Sequence, residues 1–278
     1  MIATENPVIA RSPALLAIAL PVLAGLVYMA LGGAPRSYLI VNGGALVLAA
    51  AIIMAGIPAP TRRTRLIAGA AMLALFALPL ITRPSVGGVE RWLPLGPSSL
   101  HAGMLTIPPL VVLAASEEKY GPIALAAALL VALAQPDFAS AFALTGGAVG
   151  IYQARSDWRM GLVVIAGFLI AISAALRGEL PAATFVERIV IDALRDAPAI
   201  ALLLVIALLG GALAMLFGTG LPRAQRYAIG LAFFGFLLAS LISNYPTPLA
   251  GYGAAAILGF ALAHALAYDM PRSQEVRA

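Results

Sequence analysis

Ten apolar runs of near-membrane length follow one another along this chain, at about 14–32, 38–57, 66–82, 100–115, 121–134, 138–152, 160–176, 199–218, 225–243 and 249–268. A helix needs about 20 mostly apolar residues to cross the hydrocarbon core. Charged residues make up 10% of the chain and hydrophobic ones 62%, whereas soluble domains carry about 25% charged residues. A water-soluble globule could not hide that much apolar surface. The pattern predicts an all-α, polytopic transmembrane helical bundle of about ten spans, a single integral membrane domain over 1–278. The fifth and sixth runs are short and divided only by Gln135-Pro136. The first run lacks a clean cleavage site and reads as the first span, not a signal peptide.

An even number of spans puts both termini on one side. The alternating loops then divide the 17 basic residues eleven to six. The richer side, with Arg11, Arg62, Arg63, Arg65, Lys119, Arg155, Arg159, Arg223, Arg226, Arg272 and Arg277, is expected in the cytoplasm with both termini. The net charge of +5 is thereby explained by orientation, and no nucleic-acid partner is expected.

Two outer loops stand out by length, 83–99 and 177–198. The second contains Thr184-Phe-Val-Glu187, a capping box that predicts a helix from Phe185. Phe185, Val186, Ile189, Val190, Ala193, Leu194 and Ala197 would form an apolar stripe. Glu187, Arg188, Asp192, Arg195 and Asp196 would lie opposite, with Arg188–Asp192 and Asp192–Arg195 spaced for ion pairs. This reads as a short amphipathic helix lying in the outer interface.

The absence of cysteine excludes disulfides, thiolate metal sites and cysteine nucleophiles, and two histidines argue against a multi-histidine metal site. No metal site or cofactor is expected. Gly88-Val-Glu-Arg91-Trp92-Leu-Pro-Leu-Gly96-Pro97-Ser98-Ser99-Leu100 precedes the fourth span. Trp92 suits an interface, Gly96-Pro97 a turn, and Ser98 or Ser99 a helix cap; Glu90-Arg91 has no place in that account. Gln135-Pro136-Asp137 reads as a helix start with Pro136 at the first position. An ionisable Asp137 near membrane depth also makes a functional candidate. Pro246-Thr-Pro248 through Gly251-Tyr252-Gly253 would open the tenth span at Pro248, and His264, deep within it, reads as packed and hydrogen-bonded.

Together these three segments resemble the SEDS family (shape, elongation, division and sporulation), the RodA/FtsW-like proteins of bacterial cell-wall synthesis. Gly88 to Leu100 is similar to G-x-R-W-I-x-L-G-P-x-S-L, Ala134 to Ala141 to L-Q-P-D-L-G-T-A, and Pro246 to Gly253 to P-L-P-F-x-S-Y-G-G, in the family's order. The resemblance implies ten helices with cytoplasmic termini in the bacterial inner membrane. It implies glycosyl transfer from a polyprenyl-pyrophosphate-linked sugar such as lipid II at the outer face, beside a single-span transpeptidase. The family's outer-loop aspartate would correspond to Asp196, with Asp192 second. The acceptor hydroxyl then needs a base, and the departing pyrophosphate needs positive charge. Asp196 or Asp192 would be the catalytic base. Arg91, Arg188 and Arg195 would bind the pyrophosphate, with Asp137 and Trp92 completing the substrate site and a divalent cation as possible help. The sequence departs from the family pattern where its Q-P-S-E becomes His101-Ala-Gly-Met104 and where S-Y-G-G-S-S becomes Gly251-Tyr-Gly-Ala-Ala-Ala256. Three readings follow: a divergent glycosyltransferase, a non-catalytic scaffold of a cell-wall complex, and a carrier for a lipid-linked or small solute.

Overall fold

A computed structural model describes residues 7–82, 89–95, 98–177 and 180–270. The expected turn at Gly96-Pro97, the tip of the first outer loop, and Arg272 and Arg277 lie outside them. Twelve α-helices run through the described residues: α1 (Pro7–Leu31), α2 (Arg36–Ala55), α3 (Arg62–Ala77), α4 (Pro79–Thr82), α5 (Ala102–Ala115), α6 (Gly121–Ala134), α7 (Phe138–Arg155), α8 (Trp158–Ala175), α9 (Ile189–Asp196), α10 (Pro198–Leu213), α11 (Arg223–Ile242) and α12 (Ala254–Asp269). The short α4 prolongs α3, and a π-helical turn, Ala214–Gly218, prolongs α10. The protein is a polytopic helical membrane protein. Six helical stretches are long and apolar enough to cross a membrane, and α5, α6 and α12 are shorter apolar helices beside them. In lipid each helix must satisfy its own backbone groups, so apolar length alone fixes where helices form.

The small residues of α7 decide how the bundle packs. Its densest partner is α11. A Cβ on Gly146 or Gly150 would run into the α11 backbone carbonyls of Leu231 and Tyr227, and one on Gly235 of α11 would lie 2.7 Å from the carbonyl oxygen of Phe142. The two backbones touch because these positions have no side chain, the small-residue contact that stands in for a hydrophobic driving force in lipid.

Helix ends sort into two groups. At one end, Arg11 donates to the carbonyls of Ile53 and Met54 and pairs with Asp269 at 2.7 Å. Arg65 and Arg62 share Glu117 at 2.8 and 3.3 Å, and Arg155 donates to the carbonyl of Ala115. This is the basic end. The opposite end gathers the start of α2, the end of α3 and the segments 89–101, 133–138, 180–189 and 243–253.

Three local expectations are corrected. A two-stranded antiparallel hairpin, β1 (Trp92–Leu95) with β2 (Ser98–His101), precedes α5, and its cap is His101, whose ring accepts the Met104 N–H, not Ser98 or Ser99. The tenth expected span begins at Ala254, not Pro248, because Gly253 at φ +138° and the turn before it are tied down elsewhere. Helix α9 starts at Ile189, not Phe185. Phe185 and Arg188 sit at φ +65° and +56°, which breaks any helix through them, and the Glu187 carboxylate accepts the Ala183 N–H at 2.8 Å instead of capping Thr184. Ile189, Val190 and Ala193 are buried in the protein, so this part of the apolar stripe faces the bundle and not the lipid, while Leu194 stays exposed.

Candidate functional site

The three segments singled out in the sequence, far apart along the chain, meet at the end opposite the basic one. Arg91 directly precedes the hairpin, whose register begins at Trp92↔His101, and the Ala102 N–H donates to the Arg91 carbonyl at 3.0 Å. The Arg91 side chain has no exposed surface. Its guanidinium lies 4.9 Å from the Trp92 ring centre and 4.4 Å from that of Tyr245, a cation against two aromatic rings.

Asp137 is equally buried. It does not stand in the first turn after a leading proline, as expected. It is the N-cap of α7, accepting the Ser140 N–H at 3.1 Å and the Ser140 hydroxyl. The cap explains why a carboxylate tolerates this depth: it meets the orphan donors and the positive end of the helix dipole. His101 Nε2 lies 3.7 Å from Asp137. Because its Nδ1 accepts the Met104 N–H at 3.3 Å, the ring proton of the neutral form sits on Nε2, towards Asp137. The Phe138 N–H donates to the Tyr245 hydroxyl at 3.1 Å.

Glu187 completes the cluster. Burial pushes its carboxyl above the usual carboxylate range, while the Ala183 N–H and the Arg91 charge pull it back. Burial and the Asp137 carboxylate push the Tyr245 phenol up to about 12, against a hydrogen bond and charge from Arg91. Tyr245 is therefore a neutral donor and acceptor throughout the physiological range.

Asn42 of α2, buried, donates to the Gly251 carbonyl at 3.0 Å and accepts the Gly253 N–H at 2.9 Å. The Thr247 N–H donates to the Val186 carbonyl at 3.0 Å and the Tyr252 N–H to that of Phe185 at 2.8 Å. Segments 185–187 and 246–252 thus satisfy each other's backbone. A cavity of about 490 Å³, lined by Trp92, His101, Met104, Thr247 and Tyr252, opens beside this junction. The Tyr252 ring stacks on Tyr38 at 3.6 Å.

Asp192 and Asp196 line a different cavity, of about 390 Å³, with Tyr28, Thr184, Phe185 and Ile200. Asp196 is exposed and Asp192 half-buried. Neither Arg188 nor Arg195 lines that cavity, and among the described residues neither pairs with Asp192. The expected self-paired charged face is thus not formed among the described residues, although Arg188 is the N-cap of α9 and its carbonyl accepts the Asp192 N–H at 2.9 Å. The structure therefore joins Arg91, Trp92 and Asp137 in one cluster and places Asp192 and Asp196 in another cavity.

The chain matches no protein-family profile and no curated protein in sequence. Its structure is similar to that of the rod shape determining protein RodA of Thermus thermophilus: TM-score 0.62 at 18% identity for one crystal structure, covering 91% of this chain and 93% of that one. For an aspartate-to-alanine mutant of the same protein the TM-score is 0.66, again at 18% identity, covering 91% and 94%. A chain from a structure described as a peptidoglycan synthase complex, coordinating polymerization and crosslinking, gives 0.60 at 21% identity, covering 92% and 97%.

The chain has the RodA fold. Within this RodA fold the converging segments are those on which the SEDS resemblance was read. Sequence reasoning missed Tyr245, the place of Glu187 beside Arg91, and the His101–Asp137 contact. The available signal was position, since His101 follows the first motif directly and Tyr245 precedes the third. Among the described residues no three metal-ligating side chains converge. His264 was expected to be hydrogen-bonded; it is fully buried, and neither ring nitrogen has a hydrogen-bond partner among those residues.

Proposed function

We propose that this RodA-fold chain is a SEDS-type component of bacterial cell-wall synthesis in the inner membrane. It crosses the membrane ten times with both termini in the cytoplasm, and acts as a non-catalytic scaffold at the outer face beside a single-span transpeptidase. The likeness to RodA and to a peptidoglycan synthase chain supports the wall-synthesis role. One observation carries the non-catalytic part: the Arg91 cation and the candidate base Asp196 are in different places. Glycosyl transfer needs a base in reach of the acceptor hydroxyl and a cation on the leaving pyrophosphate at the same centre. Arg91 is wholly buried against two rings, and among the described residues no basic side chain lines the cavity onto which Asp196 opens.

The exposed carboxylate of Asp196, beside Asp192 in that cavity, favours a second reading. There Asp196, or Asp192, is the base for transfer of a lipid II-like saccharide. Arg188 and Arg195 engage the pyrophosphate, Arg91, Trp92 and Asp137 hold the saccharide site, and a divalent cation assists. Polymerisation of purified lipid II, with and without the transpeptidase and a divalent cation, separates the two. The scaffold predicts no polymer, a growth defect on deletion, and full rescue by Asp196→Asn. Polymer from wild type with a loss of about 10²–10⁴-fold in Asp196→Asn would establish the second reading instead.

Orientation has its own test on this cysteine-free chain. In intact cells an impermeant thiol reagent should label Asp196→Cys and leave Arg63→Cys untouched. Outside labelling at position 63 would invert the topology.

A further inference from the structure

The Arg62–Thr82 stretch is the least embedded of the long apolar helices, with 11% of its span buried inside the protein against 22–61% in the other five. A cleft of about 220 Å³ separates α3 from α6, walled by Leu66, Gly69, Ala70 and Leu73 on one side and Ala124 and Ala127 on the other. Small residues make it deep, and it continues at the basic end into a wider hollow at Arg62, Arg63 and Tyr120. From Arg65 to Leu73 it runs about 12 Å, eight residues at 1.5 Å each. That is about half the thickness of the hydrocarbon core, or one leaflet.

The mouth of the cleft is under-neutralised. Glu117 serves both Arg65 and Arg62, at 2.8 and 3.3 Å. Arg62 and Lys119 both approach the Tyr120 ring, at 4.9 and 5.5 Å. Arg63 is exposed and makes no ion pair or hydrogen bond among the described residues. Among the described residues Glu117 is the carboxylate that pairs with this group of Arg62, Arg63, Arg65 and Lys119.

We propose that this cleft is a binding site for an anionic phospholipid of the leaflet at the basic end, with an acyl chain between α3 and α6 and the phosphate on Arg62 and Arg63. Aliphatic walls ending in a basic, aromatic rim match the two halves of such a lipid. Free phosphate would leave the walls unused. A partner's spanning helix needs a contact across both leaflets, and the cleft stops at Leu73 and Ala127.

Purified protein in detergent is titrated with phosphatidylglycerol, phosphatidylcholine or inorganic phosphate, and lipid-dependent thermal stabilisation is read. Phosphatidylglycerol should stabilise saturably, and the other two should not. Arg62→Gln/Arg63→Gln should weaken its apparent affinity about 10- to 30-fold. Gly69→Leu keeps every charge and should weaken it at least about tenfold by filling the cleft. It should fold, since a Cβ at Gly69 meets no atom within 4 Å. Equal stabilisation by phosphatidylcholine, wild-type affinity in Gly69→Leu, or a photo-crosslinker at position 70 that captures a protein helix and no phospholipid would each overturn the site.

Discussion

Arg91→Met should lower stability by about 3–5 kcal/mol, the cost of removing one partner from a buried charge cluster. Methionine fills much of the space but leaves the buried Glu187 without its cation and the Tyr245 and Trp92 rings without the guanidinium against them. Arg91→Lys should recover little, because a compact ammonium cannot stack on two rings or present a fork of donors. Adding Glu187→Gln to Arg91→Met should recover part of the loss, since the neutral amide still accepts the Ala183 N–H and no longer needs a counter-charge. Thermal unfolding of the purified variants in detergent measures all three. An Arg91→Met midpoint equal to wild type would show that the cluster does not hold this end together.

Gly150→Val should cost about 2–3 kcal/mol, because added methyl groups would be driven into a backbone that cannot move aside. The obstacle is the Tyr227 carbonyl of α11, and the Gly146 and Gly235 contacts along the same seam hold the two helices at that separation. Gly44→Val on α2 is the matched control. A Cβ there meets nothing within 4 Å, so its effect should stay within about 0.5 kcal/mol. Equal midpoints for the two variants would mean that α7 and α11 are not in backbone contact.

The helices were legible because the requirement that makes them is local. In lipid a helix satisfies its own N–H and C=O groups, so apolar length alone located all ten expected runs, with α11 at Arg223–Ile242 against an expected 225–243. The charge sorting was legible for a similar reason: Arg11, Arg62, Arg65 and Arg155 need no knowledge of packing to be kept out of hydrocarbon, and the fold gathers them at one end. Asp137 was recognisable as a helix-start residue, though its cap position and burial were not.

What failed lay in segments whose partners are remote. Thr184-Phe-Val-Glu187 carries every local mark of a helix start, yet Phe185 and Val186 give their carbonyls to Tyr252 and Thr247. The same pairing, with Asn42, holds 251–253 out of the tenth helix. The chain by itself determined a multi-span helical bundle, its basic end and the three segments that matter, since membrane burial acts on each stretch separately. Only the tertiary structure decided that Arg91 would be buried against the Trp92 and Tyr245 rings, that Asp137 would cap α7 beside His101, and that Asp196 would open into a different cavity. Those outcomes depend on which distant backbone donors and acceptors find one another when the helices close, and no local pattern encodes that choice.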